Sequence, residues 1–263
     1  MLKFLSRQIV ATRAGRYWLS KLSNNLDFDP LYDIMANRVP VGLRRLRQLG
    51  FAPDLVVDAG AYRGEWTTMA LPVFPEARFV MLEAQPDKAA ALEAVQAAAP
   101  GRVSFQIGLL GAERREKVPF FVAETGSSVY VETTAFARSE ISLPMQTLDE
   151  ALAAERAARS VFLKLDVQGA ELDVLAGAAA TLERTEAVLL EASLAEYNAG
   201  APRLADVTEQ LRKLGFLPFD ILDLRRIGPV LAQIDMVFVR PESALARRAA
   251  EVIAGYGREQ AGK

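Results

Sequence analysis

The chain has 263 residues, 51% of them hydrophobic, with 31 Lys and Arg against 33 Asp and Glu and a formal charge of −2. That length suits one large α/β domain with extra helices or two small domains, and the charge balance lacks the basic footprint of a nucleic-acid-binding protein. There is no Cys and no His, which excludes disulfides, thiolate metal sites, Cys nucleophiles and every Ser-His-Asp type of triad. Acid–base chemistry falls to Asp, Glu, Lys, Tyr or water.

Residues 1–26 carry Lys3, Arg7, Arg13, Arg16 and Lys21 and no acid, interleaved with Leu2, Phe4, Leu5, Ile9, Val10, Tyr17, Trp18, Leu19 and Leu22. The pattern predicts a basic amphipathic helix, able to lie on an anionic membrane, to pack on its own domain, or to meet a second copy of the chain. The arginines interrupt the apolar stretch, so it does not read as a secretory signal. No apolar run of about 18 residues predicts a membrane span. A second helix is predicted over 41–49, stopped by Gly50.

Leu55-Val56-Val57-Asp58 is an apolar run ending in an acid, followed by Ala59-Gly60-Ala61-Tyr62-Arg63-Gly64 and a helix-like pattern from Glu65. This predicts a buried strand feeding a tight turn at a helix N-terminus, where glycine lets backbone N–H groups approach a ligand. The spacing is Gly-x-x-x-Gly, not the Gly-x-Gly-x-x-Gly of a dinucleotide site. Asp58 would repel a pyrophosphate but suits a ligand with an ammonium group, such as S-adenosylmethionine. Further strands are predicted over 78–83 and 103–107, and helices over 64–71 and 87–98, the latter ended by Pro100-Gly101. Alternation at these lengths implies a parallel sheet with helices on both faces.

Residues 117–146 break the rhythm. Strand-like segments at 118–122 and 141–145 flank a Gly126-Ser127-Ser128 turn, an insertion on the sheet near its ligand-binding edge. The rhythm resumes with a strand over 161–166, a helix over 169–176, a strand over 187–191 and a helix over 203–214 ended by Gly215. Residues 216–222 and 235–239 read as an antiparallel pair, and 242–263 as a helix fraying at Gly255 and Gly257. The expected organisation is an N-terminal helical extension over 1–50, one domain over 51–241 and a helical tail over 242–263.

Strand C-termini are where ligands bind in an open parallel sheet. Glu83, at the end of one strand, can accept hydrogen bonds from ribose hydroxyls. Gln106-Ile107-Gly108, ending the next, could flank an adenine. Lys164 and Asp166 are two apart, so they share a face, and a charged pair ending an apolar strand is costly unless paired or functional. Glu171 opens the following helix, where the dipole favours an acid in any case. Glu191 ends the fifth strand in the same way.

These blocks together resemble the FkbM family of methyltransferases: Val57-Asp58-Ala59-Gly60-Ala61-Tyr62-Arg63-Gly64, Glu83-Ala84, Gly126-Ser127-Ser128, Gln146-Thr147-Leu148-Asp149 and Lys164-Leu165-Asp166-Val167-Gln168-Gly169-Ala170-Glu171. The family's first block often reads D-V-G-A-N-x-G, so Ala59 and Tyr62 are departures. The resemblance implies a class I (Rossmann-like) methyltransferase fold, an α/β protein with a mostly parallel seven-stranded sheet, helices on both faces, the N-terminal extension and the β insertion. It implies S-adenosylmethionine as cofactor and O-methylation of a hydroxyl on a sugar, glycan or other small natural product. Carried over, Asp58, Gly60 and Gly64, with Ala61 and Tyr62 in the same turn, would surround the methionine end of the donor. Glu83, with Ala84, would hold the ribose, and Asp166 would lie near the donor's amino group or the transfer site.

With no His, Asp166, Lys164, Glu171 and Glu191 are the candidates for the base. Asp166, Lys164 and Glu191 are expected to be catalytic. No metal is expected, since Ala192 follows Glu191 and gives no second ligand. The expected partner is a small-molecule or glycan acceptor and not nucleic acid, with the basic N-terminal helix available for peripheral membrane contact or a homodimer. The expected location is the cytoplasm. The competing readings are a non-catalytic binding or scaffold protein on the same fold, and methylation of protein.

Overall fold

The computed structural model describes residues 39–122, 127–129, 139–194 and 200–261, with side chains as far as Tyr256. The basic helix expected over 1–26 and the Gly126 of the serine turn lie outside the described residues. Among the described residues no helix is long and apolar enough to cross a membrane.

The main sheet contains β1 (Leu55–Ala59), β2 (Arg78–Glu83), β3 (Val103–Ile107), β7 (Val161–Leu165), β8 (Thr185–Ser193), β9 (Leu217–Ile227) and β10 (Val230–Val239). Their order is β3-β2-β1-β7-β8-β10-β9. The first five are parallel, and β10 runs antiparallel to both of its neighbours. Strands β1 and β7 are buried along their whole length, which is why both open on apolar runs, Leu55–Val57 and Val161–Leu163, before a single charged residue. Chain order reverses between β1 and β7, so the crevice beyond their C-terminal ends is the expected ligand site.

The sheet's two faces carry separate cores. On one, Leu55, Val57, Leu163 and Leu165 pack against α4 (Leu148–Ala151), α5 (Glu171–Ala176), α6 (Ala179–Leu182) and α7 (Leu204–Lys213). On the other, Val56, Phe79, Met81 and Phe162 pack against α1 (Val39–Gln48), α2 (Glu65–Ala70), α3 (Ala89–Ala98) and the start of α8 (Ala244–Ala261). Phe162 meets Phe51 and Phe74 edge-on at centroid distances of 5.3 and 5.9 Å, a geometry worth about 0.5–1.5 kcal/mol per pair beyond the area buried. The strand period of two also places Asp58 and Lys164 on this second face, because Val56 and Phe162 precede them by two.

Two expectations need correction, and the expected insertion takes the form of a sheet of its own. Strands β5 (Arg115–Val122) and β6 (Ser139–Gln146) join the two-residue β4 (Leu109–Leu110) in a second sheet of order β4-β6-β5, with its own small core of Leu109, Val118 and Phe120. The closing hairpin is also longer than 216–222 and 235–239. Its outer half is exposed, and the charged residues from Asp220 to Arg226 hid it as loop. Lastly, α8 runs through Gly255 and Gly257 without a break; an isolated glycine costs about 1 kcal/mol in a helix and does not by itself end one.

Candidate active site

The turn after β1 is shaped by backbone that most residues avoid. Gly60, Tyr62 and Gly64 have φ of 76, 50 and 77°. A Cβ on Gly60 would overlap the Asp166 carbonyl oxygen, so glycine here allows the β1 and β7 ends to touch. Tyr62 occupies a left-handed position that asparagine tolerates better, which gives the family's usual Asn a physical reason. Four of the turn's N–H groups are spent within the protein. Gly60 and Ala61 donate to the Leu82 carbonyl at 2.9 and 3.1 Å, and Gly64 donates to the Ala61 carbonyl at 2.7 Å. Tyr62 N–H donates to Glu83 Oε2 at 2.7 Å. These four amides are therefore not free to meet a ligand, contrary to the expectation for this turn.

Asp58 is fully buried. Its Oδ2 accepts from Thr67 Oγ1 at 2.7 Å, and Lys164 Nζ lies 2.9 Å from Oδ1. The pair follows from register, since Asp58 and Lys164 are direct partners across β1 and β7. Lys164 also donates to the Gly60 carbonyl at 3.0 Å and lies 3.5 Å from Asp166 Oδ2. Burial works against its charge, but Asp58 and Asp166 outweigh that and raise its pKa above the usual lysine value. Lys164 is thus a fixed ammonium and not a proton acceptor, which corrects one of the candidate bases.

Glu83 receives Tyr62 N–H on Oε2 and Gln85 N–H on Oε1 at 2.9 Å, leaving further acceptor capacity on each oxygen. Burial pushes its pKa up, and the two backbone donors work in the other direction.

A cavity of about 290 Å³ opens where these elements meet. Gly60, Ala61, Tyr62 and Trp66 line it from the first turn and α2, and Glu83, Ala84 and Gln85 from the end of β2. Gly108, Leu109, Leu110, Phe120, Ser127 and Val129 line it from the second sheet and its approach. Lys164, Asp166, Gln168, Glu191 and Arg225 complete the wall. Four expected residues are elsewhere. Asp58 lies beneath the wall, and a Cβ on Gly64 would press on Val95, Met81 and Leu92. Gln106 turns to the opposite face and donates to the Ala151 carbonyl at 2.8 Å, and Ile107 packs on the core.

Carboxylates gather at the β7–β8 end. Glu171 Oε1 accepts from Val167 and Gly169 N–H at 3.1 and 3.2 Å, pinning the turn in which Gln168 has φ of 54°. Burial raises the Glu171 pKa to about 7. Gln168 Nε2 donates to Asp166 Oδ1 at 2.8 Å and to Glu191 Oε1 at 3.3 Å. Gln233 Nε2 donates to the same Glu191 oxygen at 2.6 Å. Burial first, then Asp166, Asp235 and Glu171, raise the Glu191 pKa well above the carboxylate range. Asp235 is pushed up to about 7 by burial, then by Asp166 and Asp223. An adjoining hollow of about 420 Å³ is lined by Glu191, Asp223, Arg225, Gln233 and Asp235 among others. Among the described residues, no group of three or more Asp or Glu is arranged to hold a metal ion.

Sequence reasoning passed over Trp66, Gln85, Arg225, Gln233 and Asp235, and quoted Gln168 within a family block without giving it a role. Gln233 and Asp235 carried a usable signal, being polar residues two apart in an apolar strand. Trp66 carried none, since an aromatic on a short helix reads as core.

A seven-stranded sheet of this order, with antiparallel β10 between β8 and β9, a glycine turn after β1 and an acid closing β2, defines a class I methyltransferase. The family description "Methyltransferase FkbM domain" matches residues 58–218. The chain belongs to that family, and it is a methyltransferase that uses S-adenosylmethionine. A comparison with curated protein sequences returns no match. Solved structures similar to it include precorrin-6y C5,15-methyltransferase from Geobacter metallireducens GS-15, at 14% identity over 77% of this chain and 87% of that one, TM-score 0.45. Magnesium protoporphyrin IX methyltransferase from Synechocystis PCC 6803, with bound SAM, is 15% identical over 77% of each chain, TM-score 0.45. The 1,6-didemethyltoxoflavin-N1-methyltransferase of Burkholderia thailandensis, with bound 1,6-didemethyltoxoflavin and S-adenosylhomocysteine, is 16% identical over 78% of this chain and 79% of that one, TM-score 0.43.

Proposed function

We propose that this enzyme methylates a hydroxyl oxygen on a sugar, glycan or other small natural product, and that Glu191 takes the hydroxyl proton. The cavity's own chemistry fits the donor. Trp66 Nε1–H is buried with no hydrogen-bond partner among the described residues and lines the cavity, so it suits the carboxylate of a methionine moiety. Glu83 has acceptor capacity for two ribose hydroxyls. Asp166 is the carboxylate for the amino group. When bound, S-adenosylmethionine supplies an activated methyl on a sulfonium, so the protein's tasks are alignment and proton removal.

Replacing Glu83 with alanine removes the ribose acceptor and the anchor of Tyr62 and Gln85 N–H. Donor affinity should fall by about 1.5–3 kcal/mol, the range for hydrogen bonds to a charged group. Calorimetry with S-adenosylhomocysteine reads this directly, and an unchanged Kd would place the ribose elsewhere.

One observation carries the base assignment. Both amides converge on Glu191 Oε1, and Oε2 has no hydrogen-bond partner among the described residues. Glu191 lines both the donor cavity and the adjoining hollow. A carboxylate whose proton affinity is raised by its surroundings is a stronger base than a free one. Turnover should therefore rise with pH as Glu191 ionises. The assay is S-adenosylhomocysteine release over a panel of methyl glycosides and simple phenols. Glu191→Gln should lose roughly 10²–10⁴-fold in turnover with donor affinity kept, and EDTA should leave the parent's rate unchanged. Parent-like turnover in Glu191→Gln would move the role to Asp235 or Asp166.

A further inference from the structure

Two side-chain amides, from different elements, reach the same carboxylate oxygen. Gln168 projects from the turn between β7 and α5, Gln233 from β10, and both Nε2 groups donate to Glu191 Oε1. Gln233 is buried in the sheet, where an amide is costly unless hydrogen-bonded. Gln168 sits at a positive φ and bridges Asp166 to Glu191. Its carbonyl accepts from Ser128 Oγ of the inserted segment at 2.7 Å.

We infer that Gln233 and Gln168 are positioning residues that hold Glu191 by Oε1, present Oε2 to the acceptor hydroxyl and keep the carboxylate ionisable. The inference rests on the reading of Glu191 as the base. Its physical ground is the sign of the surrounding field. Glu191 is faced by Asp166 after β7, Glu171 on α5 and Asp235 on β10, all of which favour its protonated form, and by Arg225 on β9, which favours the anion. With three acids against one exposed guanidinium as the leading influences, and the Lys164 ammonium taken up by Asp58 and Asp166, the two amides are the direct donors that stabilise the charged form. A hydrogen bond to an anion lowers its pKa, so removing one raises it. Both donors on one oxygen also fix the carboxylate's rotation, as a base must be fixed to meet its proton. The bond from Ser128 links this geometry to the second sheet, which lines the cavity.

The test needs no acceptor. The carboxyl carbons of ¹³C-labelled glutamate are titrated by NMR in the parent, Gln233→Met and Gln168→Met, with Glu191→Gln used to assign the Glu191 signal. Methionine is close to glutamine in size and keeps the packing without the donor. A thermal shift with S-adenosylhomocysteine confirms the fold of each variant. The expected result is an upward move of the Glu191 midpoint by about one pH unit in each variant. On any glycoside or phenol the parent methylates, the acidic limb of turnover moves up with it. A residue with a merely structural role would lower the rate and leave the midpoint in place. A parent-like midpoint in whichever variants fold overturns the inference while leaving the base assignment standing. Parent-like turnover of Glu191→Gln overturns the base assignment and the inference that rests on it.

Discussion

Gly60→Ala will lose measurable binding of S-adenosylhomocysteine. The position has φ of 76°, and an added Cβ would overlap the Asp166 carbonyl oxygen. The obstructing atom is backbone, so no rotamer change relieves the clash. Relief means parting β1 from β7, which breaks the Asp166 N–H to Ala59 carbonyl bond of 3.0 Å and the Lys164 bond to the Gly60 carbonyl. The left-handed conformation alone costs a non-glycine residue about 1–2 kcal/mol. With the displaced backbone the total should reach roughly 3 kcal/mol or more, or roughly 6–12 °C in melting temperature for a domain of this size. Gly101 is the control, with φ of 75° and nothing within 4 Å of an added Cβ. Gly101→Ala should cost only about 1–2 kcal/mol and leave donor binding intact. A Gly60→Ala protein that binds like the parent would show that the β1–β7 contact does not shape the cavity.

Lys164→Met should be the most destabilising exchange at the site that leaves packing volume nearly unchanged. It strands the Asp58 carboxylate, which has no solvent exposure and, among the described residues, keeps only Thr67 as a hydrogen-bond donor. Breaking one partner of a buried ion pair typically costs about 3–5 kcal/mol, because a charge is left uncompensated. Adding Asp58→Asn removes that charge, and the double variant should regain most of the loss. Chemical denaturation of the two singles and the double gives the coupling directly. If Lys164→Met unfolds at the parent's midpoint, the ion pair is not what places lysine at this strand end.

The parallel core was legible because β1, β2, β7 and most of β8 are buried on both faces and bounded by glycine, proline or charge. The β insertion was legible as two strands and not as a separate sheet, because β4 is two residues long and reads as the end of β3. The outer hairpin was hidden by its exposed, charged surface. At the site, Glu83, Lys164, Asp166 and Glu191 were visible as charges closing apolar strands, and all four line the cavity. Asp58 and Gln106 were equally visible and do not. Strand period fixes which residues share a face, but only packing against α2 and α4 decides which face meets the ligand. Gln233 and Asp235 were open to the same reasoning that singled out Lys164 and Asp166.

The measurement that bears most directly on the account is calorimetric titration of the purified protein with S-adenosylmethionine and with S-adenosylhomocysteine. The cavity, with Glu83 proposed for the ribose and the unpartnered Trp66 N–H proposed for the carboxylate, predicts saturable binding of one equivalent of either, accompanied by a rise in melting temperature. No heat and no thermal shift with either ligand at millimolar concentration would contradict it.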